Sequence, residues 1–212
     1  MKKIIHFFYL GFFILWVLCA YLSAEPQRGG HFGISAGAFP IFWGFNAYRA
    51  GAEIGYRTER IAFVAEVAYG HTSSESESRE DYGYYSYFYS TKTTFTSVPV
   101  SASLLYIAQL SENFSATVGV GLGYYKIKMK QKTTYQYDSY SETYTDEEET
   151  KGYAPHVSLG IESSISRGLS IFGEVKQIVG KLKSEEKEAG YSIKEIYPFG
   201  GPEIRVGFRF HF

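Results

Sequence analysis

The residue types best spaced for chemistry are His156 and Ser158, in the run His156-Val157-Ser158, with Glu174 on the next alternating stretch. On a strand, positions two apart share a face, so this histidine and serine can meet. A histidine that takes a serine proton, held in place by a carboxylate, makes an ester-attacking nucleophile. The same three side chains also suit a buried hydrogen-bond network, which is the preferred reading. The five histidines are scattered and form no paired metal ligands at useful spacing. Gly119-x-Gly121-x-Gly123 is a small-residue strand face rather than a phosphate loop. Neither a metal nor a cofactor is expected, and the chain reads as a non-enzyme.

Two further groups stand out. The first is a balanced set of charges on faces otherwise made of Gly, Ser and Ala. It comprises Glu53, Glu66, Glu162, Glu174 and Glu203 against Arg49, Arg57, Lys176, Arg205 and Arg209, with His156 among them. Equal counts allow full pairing, which buried charges require. The second is tyrosine: Tyr82, Tyr84, Tyr85, Tyr87 and Tyr89 in one Ser/Thr-rich segment, and Tyr135, Tyr137, Tyr140 and Tyr144 in another. Tyr-Ser surfaces give rigid yet adaptable contact area, so recognition of a host or matrix surface is one reading. The other is a protruding sheet whose tyrosines pair across strands.

Eight segments of period-2 alternation must position these groups. They run His31–Phe39, Phe45–Arg57, Ile61–Gly70, Thr94–Ile107, Phe114–Lys126, Tyr153–Ser163, Leu169–Val179 and Gly201–Phe212. Phe114, Ala116, Val118, Val120, Leu122 and Tyr124 alternating with Ser115, Thr117, Gly119, Gly121 and Gly123 is the cleanest. Connections at 57–60, 108–113 and 164–168 are tight, whereas those at 71–92, 127–152 and 181–193 are long. All three long loops therefore fall at one end, and only the short connection at 40–44 breaks the rhythm. Pro99 and Pro155 fall inside segments four and six, where a bulge is expected.

The chain has 212 residues, 18% aromatic, with one Cys and net charge −1. That aromatic content excludes a disordered chain. The absence of excess Lys and Arg argues against a nucleic-acid binder. One cysteine excludes a disulfide scaffold. Lys2, Lys3, the apolar run Ile4 to Ala20 and the junction Ala24/Glu25 have the layout of a secretory signal peptide. The alternatives, a transmembrane anchor or lipidation at Cys19, fit less well. Residues 1–24 are thus read as the signal and 25–212 as one barrel domain. Loss of Lys2 and Lys3 leaves 19 basic and 22 acidic residues, a net charge of −3.

An eight-stranded barrel can be a soluble cup or a membrane barrel, and the two have opposite polarity. A narrow eight-stranded interior admits only small or interlocking side chains. The small-and-charged face therefore belongs inside, and the Phe, Tyr, Leu, Ile and Val face meets lipid. Tyr48, Tyr56, Tyr69, Tyr106, Tyr124 and Tyr153 then form an interfacial girdle. The fold class is all-β: an eight-stranded antiparallel up-and-down transmembrane β-barrel with three long external loops.

From about Gly30 to Phe212 the chain resembles the OmpA/OmpX-like family of small outer-membrane barrels. The resemblance rests on Ile204-Arg205-Val206-Gly207-Phe208-Arg209-Phe210-His211-Phe212, on Val98-Pro99-Val100 before Leu104-Leu105-Tyr106, and on Val118 to Tyr125. It implies the bacterial outer membrane, contact with lipid and lipopolysaccharide, a monomer, and Phe208, Phe210 and Phe212 as the signal read by the barrel-assembly machinery. No appended cell-wall-binding domain is expected. His156, Ser158 and Glu174 are also similar to the catalytic set of outer-membrane lipid A deacylases, whose site faces lipid. A narrow porin-like channel is a further alternative.

Overall fold

A computed structural model describes residues 28–40, 46–81, 86–137, 140–188 and 191–212. The strands are β1 (Gly29–Pro40), β2 (Asn46–Arg57), β3 (Ile61–Asp81), β4 in two stretches (Ser86–Ser97 and Val100–Ser111), β5 (Phe114–Tyr137), β6 (Tyr140–Ser166), β7 (Leu169–Glu188) and β8 (Tyr191–His211). Each pairs antiparallel with its sequence neighbours, and β8 returns to β1 from His31↔His211 to Ala38↔Ile204. Eight strands thus close a ring, which leaves no ladder edge to face lipid. The expected signal peptide and residues 41–45 lie outside the described residues.

Three expectations need correction. The segments at 71–92, 127–152 and 181–193 are not loops. β3 with β4, β5 with β6, and β7 with β8 run on as ladders to Asp81↔Ser86, Tyr137↔Tyr140 and Glu188↔Tyr191. Thr, Tyr and Ser suit a pleated surface even without an apolar stripe, and an inter-strand ladder needs no particular side chain.

Second, neither proline bulges its strand. Gly70↔Ser97 and Val67↔Val100 continue one register across Pro99. The amide of Ala68 donates to the Pro99 carbonyl at 3.0 Å, and that of Val98 to the Lys126 carbonyl at 2.9 Å. At Pro155 the β6–β7 ladder has no paired residues between Lys151 and His156, yet it resumes without a shift. Each missing donor opens the ladder and leaves inside and outside unchanged. The register shifts lie elsewhere, between Gln109 and Ser111 and between Ser164 and Ser166, beside the tight turns.

Third, the lumen is not uniformly small and charged. Inward-facing Phe39, Phe95, Tyr125, Ile127, Ile178, Leu182 and Phe199 pack as an apolar layer toward the hairpin end. A smaller patch, Ala62, Val64, Leu105 and Ile107, lies near the tight turns.

The outward face agrees with the alternation. Ile54, Phe63, Val67, Leu104, Val120, Leu159, Val206 and Phe208 are all exposed, with Leu159 at 67%. On β5 this apolar face runs from Phe114 to Tyr124, matching the ~9–11 residues a tilted strand needs to cross a bilayer. Tyr56 and Tyr106 lie toward its turn end. Tyr48, Tyr69, Tyr124 and Tyr153 lie toward its hairpin end, the rings of Tyr124 and Tyr153 being 5.2 Å apart. Beyond Tyr124 the pattern inverts. Tyr125, Ile127 and Met129 turn inward while Lys126, Lys128 and Lys130 turn outward. The lower barrel is apolar outside and charged inside; the hairpins above it follow the water-soluble arrangement.

Candidate functional site

All ten predicted lumen charges are buried, and each has an opposite charge within salt-bridge reach. Arg205, 1% exposed, lies at the centre. Its Nη1 donates to Glu53 at 2.8 Å and Glu66 at 2.7 Å, and its Nη2 to Glu174 at 2.8 Å. Arg209 donates from Nε to Glu53 at 2.5 Å and from Nη1 to Glu162 at 2.6 Å. Arg57 reaches the other Glu162 oxygen at 2.8 Å. On the hairpin side, Lys176 donates to Glu66 at 2.6 Å, and Arg49 bridges Glu66 and Glu203. Shared carboxylates join all ten into one network across β2, β3, β6, β7 and β8. Charge-assisted bonds to carboxylates are the strong kind, and here they meet charges already removed from water.

Alternation places these residues in the lumen but does not specify their partners. It also missed members of the inward set. Ser170 donates to Glu162 at 2.9 Å and shares a 2.9 Å bond with His211. His31 stands 3.7 Å from Glu53. Phe172 lies beneath two guanidiniums, with Arg209 at 4.0 Å and Arg205 at 5.1 Å from its ring centre, a cation–π arrangement. The shared inward parity of these positions was the available signal. The open space near His31, Arg57, Thr117, Glu162 and His211 is only about 10 Å³, about the size of a single water.

His156 and Ser158 both point into the lumen and are buried. His156 Nε2 lies 2.9 Å from the Ser103 hydroxyl on β4, while Glu174 is engaged by Arg205. The histidine and serine thus share a face as expected, but that face is opposite to the lipid side a deacylase of this type uses. Among the described residues, no group of three or more His, Cys, Asp or Glu is placed to hold a metal ion.

The second predicted group lies on the hairpins. Tyr82, Tyr84 and Tyr85 fall outside the described residues, and Tyr87 is described only as the backbone partner of Tyr137. Tyr89, Tyr135 and Tyr144 sit side by side on β4, β5 and β6, with ring centres 5.5 and 5.8 Å apart. Their face continues the lumen side of the barrel. Near the β5–β6 turn, Tyr135, Tyr137, Tyr140, Glu142 and Tyr144 line an open groove of about 600 Å³. A hydrogen bond to Glu142 pushes the Tyr144 phenol up to about 12. The cross-strand tyrosine sheet and the candidate recognition surface are thus formed by the same residues.

No protein-family model matches the chain, and no curated protein matches it. Among solved structures it is similar to Neisserial surface protein A, at 11% identity and a TM-score of 0.53, covering 89% of this chain and all of that one. It is also similar to the outer membrane protein AlkL determined in lipid bilayers, at 12% identity and a TM-score of 0.50, covering 89% of this chain and 92% of that one. With its closed ring, apolar exterior and ion-paired interior, the chain has the fold of the small eight-stranded β-barrels of the bacterial outer membrane.

Proposed function

We propose that this barrel is a non-enzymatic surface protein whose tyrosine-bearing hairpins bind host or matrix surfaces. The observation that carries this reading is the groove of Tyr135, Tyr137, Tyr140, Glu142 and Tyr144 at the tip of the longest hairpin. Tyrosines locked in a ladder lose little freedom on binding, and a nearby carboxylate accepts hydrogen bonds from a polar ligand. The test is adhesion of cells displaying the barrel to epithelial cells and matrix-coated surfaces. Replacing Tyr137, Tyr140 and Tyr144 together by serine is expected to leave heat-modifiable folding intact and abolish adhesion above that of vector-only cells. Adhesion equal to the parent refutes the reading.

A solute channel fits less well, because the ion-paired lumen is covered by the apolar layer around Tyr125, Ile127 and Phe199. Conductance above background in a planar bilayer would favour it. The deacylase reading is tested by Ser158→Ala, which is expected to leave lipid A acylation unchanged.

A further inference from the structure

The tyrosine groove carries charge of one sign. Glu142 is the direct partner of Tyr135, and Tyr140 and Tyr144 flank it on its own strand, two residues to either side. The Tyr144 hydroxyl donates to it. The carboxylate thus sits among phenol rings, and two of these, Tyr135 and Tyr144, meet edge to face at 78°. Rings set this way make a corner with two differently aimed π faces, and each face, negative at its centre, attracts a cation.

The same sign continues down the face. Asp146 and Glu148 share the inward parity of Glu142 on β6, opposite Gln131 and Met129. On β8, Tyr197 donates to Glu195 and lies beside Glu148. Among the described side chains of the inward face above the apolar layer, every charge is a carboxylate. Lys126, Lys128, Lys130 and Lys132 occupy the alternate positions of β5 and project from the opposite face. The pairing that neutralises the lumen is missing here, so the face is left to a ligand of positive charge.

Length and geometry narrow the ligand further. Glu142 and Glu148 lie six residues apart on one strand, about 20 Å. A single small cation would fill the Tyr135–Tyr144 corner and leave the lower carboxylates unmatched, whereas an extended basic chain reaches all of them. Arginine suits both parts of the site, because its planar guanidinium stacks on aromatic rings and also forks onto carboxylates.

We propose that the groove and the acidic face below it take a basic, arginine-bearing segment of a partner protein. One guanidinium stacks in the Tyr135–Tyr144 corner and pairs with Glu142, and others reach Asp146 and Glu148. This inference rests on the reading of the hairpins as a recognition surface and names the chemistry of the partner.

The test uses the full barrel refolded in phosphatidylcholine vesicles and the fluorescence anisotropy of an Arg-Ser repeat peptide of about eight residues, long enough to span the acidic face. Its citrulline-Ser counterpart keeps the shape without the charge and is expected not to bind. The variant E142Q/D146N/E148Q is expected to bind the arginine peptide at least tenfold more weakly, at about threefold for each exposed ion pair. Tyr144→Leu removes a ring face and is expected to weaken binding about threefold. E75Q/E77Q removes two carboxylates from the outward face of β3 and is expected to bind as wild type. Equal binding of the citrulline peptide, wild-type binding by E142Q/D146N/E148Q or Tyr144→Leu, equal loss in E75Q/E77Q, or preference for a heparin fragment over the arginine peptide each overturns the proposal. Adhesion separates the two readings. Parental adhesion of the Tyr137, Tyr140 and Tyr144 serine variant removes both, whereas its loss alongside parental adhesion of E142Q/D146N/E148Q overturns only the basic-segment proposal.

Discussion

Replacing Arg205 by methionine removes the central cation of the lumen while keeping most of its stem volume. Three bonds of 2.7–2.8 Å are lost, to Glu53, Glu66 and Glu174. The carboxylates are not equally stranded. Glu66 keeps Lys176 and Arg49, and Glu53 keeps Arg209. Glu174 is left with Lys176 at 3.8 Å. Hydrogen bonds to charged groups contribute ~1.5–3 kcal/mol each, which sets a gross loss of roughly 5–9 kcal/mol. The remaining bases recover part of it, so the net cost is expected near the ~3–5 kcal/mol of breaking a buried pair. Urea unfolding of the refolded barrel in vesicles, followed by loss of the heat-modifiable gel band, measures it. Adding Glu174→Gln removes the stranded charge and is expected to recover at least half the loss. A single variant within about 1 kcal/mol of wild type refutes the pairing, and so does a double variant no better than the single.

Further outcomes follow from other parts of the barrel. Phe199→Ala opens the apolar layer above the charges and is expected to cost ~3–5 kcal/mol in the same unfolding assay. It is not expected to create conductance in planar bilayers, because the ion network below still fills the lumen. Gly121→Ala drives a methyl against the Ala102 carbonyl oxygen and His156 Nε2, and an overpacking loss of ~1–3 kcal/mol is expected. On the β5–β6 hairpin, hydrogen bonds from Lys130 and Lys126 hold Glu147 and Glu149 below the usual carboxylate range. Depressed values mean that these pairs support the hairpin above the unfolded carboxylate pKa, ~4.3. That support is lost as pH falls further, so hydrogen exchange of residues 126–132 is expected to accelerate there, and less so in high salt. Removing Phe212, whose amide donates to the Gly30 carbonyl at 3.0 Å, is expected to leave refolding in detergent intact. It is expected to lower the amount assembled in cells, as measured in outer-membrane fractions.

The crossing part of the barrel was legible because lipid outside and a narrow lumen inside impose opposite demands on alternate residues. Val118 to Tyr124 could be assigned residue by residue, and even Pro99 and Pro155 left that assignment intact. The hairpins were illegible for the converse reason. From Ser73 to Lys92, and again around Thr133 and Thr143, no apolar periodicity marks a strand, and the ladder is held by backbone bonds that any sequence can make. Pro198-Phe199-Gly200 precede the alternating stretch read from Gly201, yet β8 runs through them, with Gly200 and Gly201 at positive φ, 144° and 143°. The ten lumen charges were found from parity and count. Their wiring was not, since long side chains such as Arg205 reach across the barrel to residues far away in sequence.

The polarity reversal between Tyr124 and Tyr125 works as a depth gauge. A barrel that sank by one outward position would carry Lys126 and Lys151 below the headgroups. A barrel that rose by one would lift apolar wall into water. Lysine on the lipid face costs ~0–1 kcal/mol near the interface and ~2–4 kcal/mol at the midplane, so sinking becomes steeply less favourable. Lys126 on β5 and Lys151 on β6 follow the facing Tyr124 and Tyr153 in one register, so their penalties add and the β5–β6 wall is held against sinking. The tyrosine groove consequently stands at a fixed height above the lipid.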